Sequence, residues 1–160
     1  MSASPPSRTV TDSLVQMTEI VLPEDTNHRG AIFGGRVLAL IDKCAGVVGM
    51  RHSRSETVTV ALDSVVFLCK VRLGDVLLLN GRLNAAFGSS MEIEVEVHSE
   101  DPFTGRRRLT TTALVTMVAV DAQGRPQAVP KLEPVDEDDR RRMAEAGQRR
   151  RARLDARVTR

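Results

Sequence analysis

One stretch of this chain is apolar around nearly its whole circumference when wound as a helix. It opens at Gly34-Gly35 and runs to about Met50, with Val37, Leu38, Leu40, Ile41, Ala45, Val47 and Val48 on almost every side. A helix of that kind has to be buried, so the rest of the chain must wrap it. The other apolar segments are short and β-branched, and one alternates strictly: Met91, Ile93, Val95 and Val97 against Glu92, Glu94, Glu96 and His98. That is the period of a strand with one face on a core and one in water. A single long apolar helix among strands predicts an α+β domain, an antiparallel sheet curled around the helix.

The turn residues set the order. Ser13 to Leu22 reads as a first strand, and Pro23 to Arg29 as turn chemistry before the helix. Thr57 to Cys69, Val76 to Leu83, Met91 to His98 and Arg107 to Val120 read as four consecutive strands. They are separated by Gly74-Asp75, Gly88-Ser89 and Asp101 to Gly105. Pro126, Pro130 and Pro134 give an extended crossing. Acidic Asp136 to Asp139 then open a terminal helix whose later turns are rich in Arg, an order that suits the helix dipole. Glu137/Arg141, Asp138/Arg142 and Glu145/Arg149 are spaced to pair along it. Residues 1–12 read as a disordered N-terminus, 13–135 as one folded domain and 136–160 as a basic helix. A chain of 160 residues suits that single domain.

Composition removes several function classes. Cys44 and Cys69 are the only cysteines and form no ligand cluster, so neither a disulfide framework nor a metal site is expected. No apolar run reaches the ~18 residues of a membrane span, and the first residues carry no signal-peptide pattern. A cytoplasmic location follows as the expectation. The net charge is +2, while residues 136–160 alone hold nine Arg and six acids. A nearly neutral body thus carries a basic tail. The tail reads either as a solvated helix or as an anion site. Nucleic acid is a distant alternative, since the body has neither a basic stripe nor stacking aromatics.

Asp42 stands out in the apolar helix. Its helical neighbours, Leu38 apart, are Gly35, Ala39, Ala45, Gly46 and Gly49, so a backbone or a thin substrate can come close. The residues alone leave two readings open: a carboxylate that satisfies buried polar groups, or a catalytic one in a cleft. Gly34-Gly35 at the helix start offers open N–H groups at the positive dipole end, an arrangement that stabilises a carbonyl oxygen becoming an oxyanion. Asn27, in the loop upstream, reads as a turn residue or as an amide that polarises a carbonyl. One helix cannot bring Asn27 to its own Asp42, which lies roughly 10 Å beyond Gly35 along the axis. If the two cooperate, two chains must supply them. Thr59 and Asp63 are lesser candidates.

Taken together, Thr26 to Gly35, Leu40-Ile41-Asp42, Val58-Thr59-Val60 with Asp63 and Phe67, Gly74-Asp75, Ser89 to Ile93, and Val118 to Asp121 through Gly124 to Val129-Pro130 carry a pattern. From about Leu14 to Arg153 the chain resembles the hot-dog acyl-CoA thioesterases, most of all the group of the bacterial YciA-type and mammalian brain-type acyl-CoA hydrolases. The resemblance implies a hot-dog fold over 13–135. It implies hydrolysis of fatty acyl-CoA with no cofactor, CoA being part of the substrate. It implies a homo-oligomer: a dimer as the active unit, and a hexamer as a trimer of dimers. Asp42 is then the general base or nucleophile, with Asn27 and the amides at Gly35 polarising the thioester. Val60, Ala61 and Leu62 are candidates for holding pantetheine, Ser89, Ser90 and Met91 for the facing turn, and Arg151 for a phosphate. The chain departs from the family pattern at Lys70, where Pro is common, and at Phe87-Gly88, where many bacterial members have Gly-Arg. The terminal helix offers arginines in compensation. The competing reading is a hot-dog protein that binds CoA esters without hydrolysing them, or hydrates them.

Overall fold

The structure is a computed structural model that describes residues 6–159. In chain order it holds β1 (Arg8–Thr9), β2 (Val15–Ile20), α1 (Gly34–Ser53), β3 (Glu56–Phe67), β4 (Val76–Phe87), β5 (Ser90–Glu100), β6 (Arg107–Val120), β7 (Leu132–Glu133) and α2 (Glu137–Val158). The five long strands form one sheet in the order β2-β4-β5-β6-β3, antiparallel at every step. One face of it carries α1. Leu77, Leu79 and Leu83 of β4, Ile93, Val95 and Val97 of β5, and Val115 and Ala119 of β6 meet Leu40, Ile41, Cys44 and Val48 of the helix. The helix lies so close to β4 that a Cβ on Gly81 would stand 2.8 Å from both Cys44 Sγ and Val48 Cγ2. This is the expected α+β, hot-dog arrangement.

Three features differ from the expectation. Residues 8–12 are ordered: β1 pairs parallel with β7, and Val10 is buried beneath the turn that follows. Of the segment read as disordered, residues 1–5 lie outside the described residues. Next, α1 buries one stripe rather than its whole circumference, and Gly35 and Ala39 are exposed while Asp42 is half-buried. The small residues that make the helix look apolar all round form an open face. Finally, Glu92 of β5 is 1% exposed, although strict alternation assigns it to water.

The second helix explains Glu92. α2 lies on the sheet face opposite α1 and is held there mainly by charge. Arg149 grips the Glu92 carboxylate with two guanidinium nitrogens, at 2.6 and 3.1 Å, and Asn84 Nδ2 donates to the same carboxylate at 3.1 Å. Arg82 pairs with Asp139, Arg142 with Glu94, and Arg153 with Asp63. The only residues buried on α2 are Asp139 and Ala146. The helix-internal pairs also differ from the expected set. Asp138/Arg142 forms, but Glu137 pairs with Arg140, Glu145 with Arg141, and Arg149 leaves the helix surface for the sheet.

Candidate active site

β3 is an edge strand with a bulge at Val60, where the register against β6 jumps between Thr59 and Ala61. In an unbroken strand Thr59, Ala61 and Asp63 would share one face. The bulge divides them. Thr59 turns toward α1, and its hydroxyl donates to Asp42 Oδ1 at 2.5 Å. Asp63 turns the other way and accepts from Arg153 of α2 at 2.7 Å. Thr59 Oγ1 also lies 3.3 Å from Met117 Sδ. Asp42 thus keeps one oxygen on Thr59 and the other free, on a helix face where Cβ atoms at Gly35 and Gly46 would meet nothing within 4 Å. Gly49 differs: a Cβ there would come within 3.2 Å of Thr57.

The start of α1 is open as expected. No side chain caps it, and the N–H groups of Arg36 and Val37 both turn back to the carbonyl of Phe33, the residue before the helix. The N–H groups of Gly34 and Gly35 are left at the positive end. Asn27 faces the same region. Its Oδ1 accepts the N–H of Arg29 at 2.9 Å and of Ala31 at 3.3 Å, so the loop holds the side chain through its oxygen, and Nδ2 has no hydrogen-bond partner among the described residues. Asn27 and Gly34 border a cleft of about 390 Å³ whose walls include Ile32, Val37, Phe67 and Val71. Asp42 does not line this cleft. It lies about 12 Å farther along the axis than Gly34, at ~1.5 Å per residue. One chain therefore carries two separate groups: an amide donor set at the helix start, and a carboxylate held by Thr59.

The residues assigned to CoA are brought together only in part. Val60, Ala61 and Ser90 line a narrow cleft of about 160 Å³ against α2. The arginines that face it are Arg150, Arg153 and Arg157; Arg151 lies on another side of the helix and does not line it. Helical spacing puts Arg150, Arg153 and Arg157 on the side of α2 that meets this cleft. Arg150 also lies over the Phe87 ring, 5.1 Å from its centre. Met91 is fully buried under α1, so its side chain cannot face CoA. Leu62 and Ser89 do not line the cleft. Pairing of Arg140, Arg141, Arg142, Arg149 and Arg153 with carboxylates also removes most of the charge on which a nucleic-acid reading rested.

The family model described as the thioesterase superfamily matches residues 29–105. YkhA of Bacillus subtilis, named an uncharacterized acyl-CoA thioester hydrolase, is 38% identical over 136 residues, which are 85% of this chain and 79% of that protein. The mouse cytosolic acyl coenzyme A thioester hydrolase is 34% identical over 145 residues; they are 89% of this chain but 38% of that longer protein. Among solved structures, an apo-hexameric acyl-CoA thioesterase superposes with a TM-score of 0.91 at 43% identity, covering 97% of this chain and 99% of that one. The acyl-CoA hydrolase of Staphylococcus aureus, solved with butyryl coenzyme A, coenzyme A and coenzyme A disulfide, gives 0.88 at 33% identity, covering 96% and 94%. Further structures of that enzyme carry Ala in place of one Asp, one Asn or one Thr.

Proposed function

As this chain belongs to the thioesterase superfamily, among its acyl-CoA thioester hydrolases, we propose that it hydrolyses acyl-CoA in a site completed by two copies of the chain. Asp42 and Thr59 of one copy face Asn27 and the α1 amides of the other. The observation that carries this reading is the separation of the two groups along α1 within one chain. Two further facts support it. β3 presents a long edge to solvent with Val58, Val60, Leu62, Val66 and Phe67 all exposed, and such an edge calls for a partner strand. The Asn, Asp and Thr replaced in the Staphylococcus aureus hydrolase follow one another at the same spacing as Asn27, Asp42 and Thr59. Because an apo relative is hexameric, three such dimers are the assembly we assign.

In this mechanism Thr59 occupies Asp42 Oδ1, and Oδ2 takes a proton from a water that attacks the thioester carbon. The carbonyl oxygen gains the charge, met by the N–H groups at Gly34-Gly35 and by Asn27 Nδ2. Collapse of the tetrahedral intermediate breaks the C–S bond and expels the CoA thiolate, which takes up the proton held by Asp42 to leave as the thiol, and the carboxylic acid is released. No cofactor enters these steps. CoA itself would lie along Val60 and Ala61, with Ser90 opposite and Arg150 and Arg157 toward its phosphates. Activity in the cytoplasm is consistent with the cytosolic mouse relative and with the described helices, none of which is long and apolar enough to cross a membrane.

The test is Asp42→Asn, which keeps shape and removes the base. Steady-state hydrolysis of butyryl-CoA is expected to fall at least ~10²-fold with the oligomer intact by light scattering. Near-wild-type activity would overturn the assignment of Asp42.

A further inference from the structure

The cleft beside Asn27 is walled mostly by apolar side chains, with Asn27, Thr111 and Lys70 as its polar exceptions. Of the residues that line it, Lys70 alone is charged. No carboxylate of the described residues pairs with Lys70. Its place is fixed by its own loop. Ile32 N–H donates to Val71 O at 2.9 Å, Leu73 N–H donates to Gly30 O at 3.1 Å, and Arg108 Nη2 donates to Lys70 O at 3.2 Å.

The charge does not end at Lys70. On the far side of the same loop, Arg72, Arg106 and Arg108 line an adjoining cleft of about 240 Å³. None of the three joins an ion pair among the described residues. The carboxylates there, Asp75 and Asp101, accept turn N–H groups from Arg72, Phe103 and Thr104. With Lys70 these make four cations against two carboxylates around this loop, a positive field that favours an anion near it.

We infer that the acyl cleft accepts acyl chains ending in a carboxylate, the CoA monothioesters of dicarboxylic acids, and that Lys70 is the specificity residue that receives the terminal carboxylate. This rests on the proposed site: with the carbonyl held at Gly34-Gly35 and Asn27, the acyl chain enters the cleft that Asn27 and Gly34 border. The methylenes lie against Ile32, Val37 and Phe67 while the distal carboxylate meets the Lys70 ammonium, a charge-assisted contact that a methyl end cannot make.

The experiment compares chains of equal carbon number: adipoyl-CoA with hexanoyl-CoA, and suberoyl-CoA with octanoyl-CoA. Both members of a pair carry the same CoA, so its charges cancel in the ratio of kcat/KM. Lys70→Met keeps the length of the side chain and removes its charge. The dicarboxylyl-to-monocarboxylyl ratio is expected to fall about two- to fivefold, the scale of one solvated ion pair, and chiefly through KM. Lys70→Glu should lower it further, and added salt should erode the ratio in the wild type but not in Lys70→Met. A ratio unchanged in both variants overturns the inference. The underlying reading is checked separately, with Phe67→Ala on hexanoyl- and octanoyl-CoA. If that variant leaves chain-length preference unaltered, the acyl chain does not lie in this cleft and the role of Lys70 falls with it. If preference shifts while the Lys70 ratio does not, the cleft stands and only the carboxylate selectivity is wrong.

Discussion

Thr59 on β3 and Asp42 on α1 are joined by a hydrogen bond of 2.5 Å in which the hydroxyl donates to Oδ1 of the carboxylate. The bond leaves one carboxylate oxygen free and fixes its direction. Thr59→Val, which keeps the shape and loses the hydroxyl, is expected to lower kcat about tenfold with KM little changed, since it removes one hydrogen bond to a charged group. Thr59→Ser restores the donor and should recover most of the rate. Equal rates for the Val and Ser variants would show that the hydroxyl does not orient Asp42.

The arginines of α2 separate by helical phase. Arg150 lines the cleft with Val60 and Ala61 and stacks on Phe87; Arg151 does neither. Arg150→Ala should therefore raise KM for acyl-CoA several-fold at nearly constant kcat, and Arg151→Ala should stay near wild type. With an acyl-pantetheine, which lacks the nucleotide, the Arg150 effect should vanish. A loss on both substrates would place Arg150 in folding or assembly.

Much of this was legible in the sequence because it is local. The apolar period of Gly34 to Met50, the small neighbours of Asp42 and the Gly-centred turns depend on residues a few positions apart. What was not legible depends on distant parts meeting. Glu92 alternates like a surface residue, and only the return of α2 over the sheet buries it against Arg149. The bulge at Val60 has no Gly or Pro to announce it, yet it decides that Thr59 faces Asp42 while Asp63 faces Arg153. Arg151 was chosen from a run of three arginines whose phase depends on how α2 docks. Thr9 and Val10 looked unstructured because their partners, Glu133 and the core, lie far along the chain or across the fold.

Arg149 and Glu92 make a testable buried pair. The Glu92 side chain is 2% exposed, and Arg149 keeps 36% of its side chain in water. Arg149→Met strands a buried carboxylate and should cost about 2–3 kcal/mol in urea unfolding, less than a fully buried pair would because Arg149 is partly hydrated. Replacing both, Arg149→Met with Glu92→Leu, should recover most of that. Additive losses in the double variant would show that the pair is not coupled.

His52, at the end of α1, is fully buried; its Nε2 donates to Pro130 O at 2.8 Å and Nδ1 has no partner. Burial lowers its pKa below the ordinary 6.5, with Arg8 acting in the same direction and the Pro130 bond and Asp12 opposing. The native state thus holds the ring neutral while the unfolded chain takes up a proton. Stability is full above 6.5 and declines as pH falls below it, by up to ~1.4 kcal/mol per pH unit from this one group. Urea midpoints from about pH 7.5 to about pH 5 should show the decline, and His52→Gln, which still donates to Pro130 but does not titrate, should flatten it. The same slope in both proteins would remove His52 as the cause.

The shared site makes the most discriminating prediction. Asn27 faces the cleft at the start of α1, and Asp42 meets Thr59 farther along the helix, so the proposed site draws one from each of two chains. Asn27→Ala and Asp42→Ala proteins should each be nearly inactive. When they are mixed, unfolded and refolded together, a two-fold dimer of one of each has one site with both lesions and one with neither. Random pairing makes about half of the dimers mixed, so activity should return to roughly a quarter of wild type, and assembly of dimers into a hexamer leaves that fraction unchanged. Were each chain to use its own pair, every site would keep one lesion and nothing would return. Subunit exchange is confirmed by native mass spectrometry with one variant isotope-labelled. Confirmed exchange without recovered activity would sink the cross-subunit site while leaving acyl-CoA hydrolysis in place.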